Sequence, residues 1–147
     1  MNIEKEIELI KHQISLLKAM VPGDEFPFYM FVMDHEINKS QQNLLMHYLY
    51  LLNHRLSHVS GEDMGTRDSI STQFYESKKS SLIDEAKALG ILNEDLFTDD
   101  IPNYLQFRKF VRAVLPESVN PVYLLKSLKK QGIFPNLCEY LLKQANE

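Results

Sequence analysis

Apolar residues recur at alternating intervals of four and three along the first twenty-one positions of the chain, and that spacing predicts a helix. Ile3, Ile7, Ile10, Ile14, Leu17 and Val21 fall within one narrow stripe at 3.6 residues per turn. Pro22-Gly23 then stops the helix. Leu9, Leu16 and Met20 form a second stripe about 120° from the first, more apolar surface than a helix needs if it covers a core on one side only. Two stripes call for two neighbours. These are either the body of the domain and a partner subunit, or two helices of one domain.

The same periodicity continues down the chain. Residues 40–59 place Leu44, Leu45, Tyr48, Leu49, Leu51, Leu52, Leu56 and Val59 over nearly half a helix circumference, which marks the central helix. Arg55 projects into that apolar arc, where it must pair with a carboxylate or cover core with its stem. Between the two helices, Phe26-Pro-Phe-Tyr-Met-Phe-Val-Met33 reads as a short helix with Pro27 in its first turn, plugging the core. Residues 60–81 read as weakly structured, with a weak helix or a mobile excursion both fitting 66–81, followed by a short helix that starts at the capping box Ser81–Asp84 and closes at Gly90. Residues 91–100 form an acidic connector. Pro102, Asn120-Pro121 and Pro135 then open three helices over 102–144, with Pro116 and Gly132 as breaks.

Composition agrees. Leucine supplies 21 residues against seven valines and three threonines, and glycine and proline number only five and six. With 147 residues, 44% hydrophobic and 24% charged, residues 1–147 form one all-α domain, a bundle or array of about six helices. Its frame is helices 3–21 and 40–59, with the array 102–144 packed on them. A chain of this length buries roughly two-thirds of its unfolded surface and needs no disulfide or metal to fold. The lone Cys138 reads as a packed thiol in a reducing cytoplasm, and no run approaches the roughly 18 apolar residues of a membrane span.

Phe26-Pro-Phe-Tyr29 behind an isoleucine-rich first helix, Leu124-Leu125 through Leu128, Gln131-Gly-Ile-Phe-Pro135 and Leu137 together resemble the YhaI-like family of small Bacillus proteins of unknown function. The resemblance covers residues 1–58 and 101–143, and residues 60–97 look longer than their counterpart. Membership implies an all-helical cytoplasmic protein. It implies no activity and no catalytic residues.

Few constellations in the sequence point to chemistry. His54 and His58, at i and i+4, could share a divalent metal, with His47 about 10 Å back along the helix. A third ligand would come from Asp34, His35 or Glu36. No His-Glu-x-x-His string, cysteine pair, nucleophile elbow or phosphate-binding glycine loop is present, so neither catalysis nor a cofactor is expected.

Charge divides the chain. Residues 1–100 carry nine Lys+Arg against 17 Asp+Glu, and residues 101–147 carry seven against three. The basic third suits an acidic partner or, more simply, the acidic front of its own chain or of a second copy. The expected role is therefore a non-enzymatic interaction or adaptor protein that self-associates through Leu9, Leu16 and Met20 and binds a further protein. The alternative is a small DNA-associated regulator using Arg108, Arg112, Lys126 and Lys130, which the net charge of −4 disfavours.

Overall fold

Asparagine opens four of the helices. Its side-chain oxygen accepts orphan backbone N–H groups that a helix start leaves unpaired. A computed structural model describes residues 2–22, 24–60, 69–91 and 101–146. In it Asn2 caps α1 (Ile3–Met20), Asn38 caps α3 (Lys39–Ser60), Asn103 caps α5 (Tyr104–Val114) and Asn120 caps α6 (Pro121–Gln131). Asn38 and Gln41 cap each other reciprocally, each side-chain oxygen accepting the other's N–H at 2.9 Å. Gln41 Nε2 also donates to the Val114 carbonyl at 2.9 Å and so ties the start of α3 to the end of α5.

The remaining helices are α2 (Pro27–Asp34), α4 (Ser69–Ala88) and α7 (Pro135–Ala145), and no strand occurs among the described residues. The chain is a single all-α domain. Helix α3 is its centre: Leu44, Leu45, Tyr48, Leu49, Leu51 and Leu52 are almost wholly buried, and Arg55, inside the same arc, is only 6% exposed. Phe107, Phe110, Leu124, Leu125, Leu128, Leu137 and Leu141 complete the core from α5, α6 and α7. Phe28 enters it from α2, as the core-plug reading of that segment required.

Two sequence expectations need correction. The pattern Ser81–Asp84 is not a helix start, because α4 is already helical from Ser69 and passes through it. No glycine or proline interrupts 69–88, and an interior serine costs a helix only tenths of a kcal/mol, while burial of Leu82 and Ala86 holds the segment in place. Of the two readings of 66–81, a weak helix or a mobile excursion, the helix holds for 69–81; Ser60 is helical too, and 61–68 lie outside the described residues. The acidic connector falls outside them as well, except for Ile91.

The second correction concerns the frame. Helix α1 buries none of its residues. The core closes around α3 without it, because the other helices already cover the apolar arc of α3.

Three helices end in the same way. At the ends of α2, α4 and α6 a residue in left-handed conformation, Glu36, Gly90 or Gly132, is followed by an isoleucine. The N–H of Ile37, Ile91 and Ile133 reaches back to Val32, Ala86 and Leu128 at 2.9–3.0 Å. Glycine adopts that conformation freely, but a side chain strains it. Gly132→Ala is thus expected to destabilise by about 1–2 kcal/mol on conformation alone, since nothing lies within 4 Å of the added carbon. Glu36→Gly, at an exposed position with φ of 55°, should stabilise by about 0.5–1 kcal/mol. Urea midpoints moving in opposite directions check the pair.

Candidate functional site

Helix α1 holds its shape by local means. Asn2 Oδ1 accepts the N–H groups of Glu4 and Lys5 at 3.0 and 3.3 Å, Glu4 and Glu6 sit in the first turn, and Lys18 sits in the last, so cap and charges both favour the macrodipole. Both apolar stripes lie open. In the first, Ile7 is 46% and Ile14 43% exposed; in the second, Leu9 is 55%, Leu16 51% and Met20 76% exposed. None of the 18 residues of α1 is buried, so its stability in the described structure rests on these local terms. Neither stripe is buried against the body of the domain, so the expectation that α1 belongs to the frame of the core is overturned.

A charge contact joins α1 to the body: Lys18 Nζ meets the Asp34 carboxylate at the end of α2. The α2 segment also turns apolar side chains outward. Phe26 stacks on Tyr29 with centroids 5.9 Å apart, and these two and Met33 are exposed. Beneath them, α2 is capped from a distance. Phe26 has no side-chain oxygen to offer, and Gln131 Oε1, at the end of α6, accepts the N–H groups of Phe28 and Tyr29 at 2.8 and 3.2 Å. Phe26–Tyr29 and Gln131–Pro135, two of the segments that carry the family resemblance, thus meet in one junction. No local signal marks that contact in the sequence.

The first 112 residues match the model of a family described as a protein of unknown function, DUF1878. The chain belongs to that family. The DUF1878 match takes in α1, the α2 cluster and most of α5, and ends before the α6 and α7 segments. No curated protein and no solved structure matches the chain.

The other candidate residues of this DUF1878 protein do not converge. His47 Nδ1 lies 3.0 Å from Glu85 Oε2 across α3 and α4. His54 is half-buried, and the side chain of His58 lies outside the described residues. Asp34 is engaged by Lys18, and His35 Nδ1 lies 3.1 Å from Ser118 Oγ. Among the described residues no three potential ligands gather around a common point.

Arg108, Arg112, Lys126 and Lys130 are all exposed. Lys126 Nζ lies 5.7 Å from the ring centre of Tyr123, which is exposed too. Arg108 borders a shallow depression with Asn103 and Gln144, whereas Arg112 borders a different one with Pro116 and Glu117. Helix α7, which would have to read DNA in a helix-turn-helix, buries Leu137, Cys138 and Leu141 in the core. Among the described residues no helix is long and apolar enough to cross a membrane.

Cys138 is fully buried, with Sγ 3.6 Å from the Ile133 carbonyl. Burial pushes its thiol from 9.0 up to about 12, with Lys129 opposing weakly, so a nucleophilic thiolate is disfavoured. The folded chain keeps a proton that the unfolded chain releases. This contribution to stability is complete below pH 9 and declines as the pH rises toward 12. A Cys138→Ala variant should show a shallower loss of stability over that window in urea titrations.

Proposed function

We propose that this protein is a non-enzymatic interaction protein that self-associates, with α1 as the associating element. The observation that supports this reading is the exposure of both apolar stripes on a helix that adds nothing to the core. Surfaces of this kind on soluble chains mark binding sites. The exposed Phe26, Tyr29 and Met33 offer a further protein partner aromatic and methionine anchors beside it. A reducing cytoplasm suits the single buried thiol.

Light scattering across a range of protein and salt concentrations tests the reading. An oligomer that shifts toward monomer on Leu9→Lys/Leu16→Lys is the expected result. An unchanged mass in that variant would remove the second stripe from the interface.

Exposure of all four basic residues, with Tyr123 beside Lys126, favours DNA association as a second reading. Binding to duplex DNA that falls steeply with salt and with Lys126→Ala/Lys130→Ala would support it. No binding at low salt would end it.

A further inference from the structure

Written in heptads, α1 has Ile7 and Ile14 at a, with Val21 just past its end, and Ile3, Ile10 and Leu17 at d. Leu9 and Leu16 fall at c and Met20 at g. At 100° per residue, positions c, g, d and a adjoin, so the two stripes together span about 160°, with Glu6, Gln13 and Met20 of position g between them. A two-stranded coil uses only the narrow a/d seam, and on this helix it would leave Leu9 and Leu16 in water. The face is wide enough for two neighbouring helices.

The residue types agree with that count. Isoleucine at both a and d disfavours two strands and favours three or four. Charge sets the direction. In a parallel bundle the g residue of one helix faces the e residue of the next heptad on its neighbour, which pairs Glu6 with Lys11 of the next copy. An antiparallel pairing that keeps every a against a d instead brings Lys11 onto its own counterpart, and sets Glu4 against Lys18, which Asp34 already engages. A lipid surface fits poorly. Interfacial helices are rich in lysine and arginine on the polar face, and here Lys5, Lys11 and Lys18 are offset by Glu4, Glu6 and Glu8.

We infer that α1 assembles with α1 of further copies of this chain into a parallel bundle of three or four helices, its isoleucine stripe on the axis and its leucine stripe against the neighbouring helix. This inference rests on the self-association reading and adds stoichiometry, direction and the axial stripe. Because α1 is absent from the core, substitutions on it leave the body folded and their effects on assembly can be read directly.

Three measurements test it together. Light scattering should give three or four chains for the natural sequence and one for Ile7→Asp/Ile14→Asp. Mild oxidation of Leu17→Cys should cross-link copies to one another, since parallel helices bring position 17 within disulfide range, whereas the antiparallel register separates the two by about 15 Å along the axis. The natural sequence, whose Cys138 is buried, should stay uncross-linked. Glu6→Lys should weaken assembly several-fold, and adding Lys11→Glu should restore it. A mass of two chains, or an assembly that Leu17→Cys fails to cross-link, overturns the parallel bundle and leaves self-association standing. A monomer at every concentration overturns both, and a monomer that sediments with anionic vesicles assigns α1 to a lipid surface instead.

Discussion

Truncating Phe110 to alanine is expected to lower stability by about 3–5 kcal/mol, read as a fall in the urea midpoint with an unchanged slope. Phe110 is fully buried, and its ring lies on that of Tyr48 with centroids 3.8 Å apart and planes 3° from parallel. The stack joins α5 to α3 at the centre of the core, where neighbouring side chains cannot collapse far enough to refill the space. Burial drives the Tyr48 phenol well above its ordinary range, against the opposing pull of Arg55, so the ring stays neutral and the contact stays apolar. A double-mutant cycle through Tyr48→Leu and Phe110→Leu should return a coupling of about 0.5–1.5 kcal/mol. A loss below about 1 kcal/mol for Phe110→Ala would show that the stack does not carry this junction.

Removing the Gln131 side chain has the second-largest expected cost. Gln131→Ala leaves the N–H groups of Phe28 and Tyr29 without the acceptor that now starts α2, and about 1–3 kcal/mol of stability should go with it. Pro27 has no N–H and Phe26 no side-chain acceptor, so α2 has no local replacement. Gln131→Glu supplies an acceptor of the same reach with a charge that the positive end of α2 favours, and at neutral pH it should match or exceed the natural chain. Hydrogen exchange at the Phe28 and Tyr29 amides locates the effect. Equal stability of the alanine and glutamate variants would falsify the capping role.

Residues that act on near neighbours made much of this fold legible. Asn120-Pro121 and Gly132 bounded α6, and the leucine arc of 40–59 announced the buried face of α3 with Arg55 inside it. The misreadings came where local grammar was ambiguous or the decisive contact was remote. Ser81-Leu-Ile-Asp84 has the form of a start signal, but such a signal has no force inside a helix already running. Gln131 and Phe28 are 103 positions apart, and neither residue type betrays the other. At α1, periodicity revealed amphipathicity but not what covers it, because a stripe facing a core and a stripe facing another molecule are written in the same residues. Tyr29 and Met33 shared that ambiguity, since an aromatic and methionine run reads as core whichever way each side chain turns.

If α1 is the associating element proposed above, its place apart from the core would separate two equilibria that most oligomers couple. In the proposed assembly the body would unfold with its own free energy and the helices would associate with theirs, linked across a short connection and the Lys18–Asp34 contact. Dilution would then take such an assembly apart without melting its subunits, and concentration would act on partnership alone.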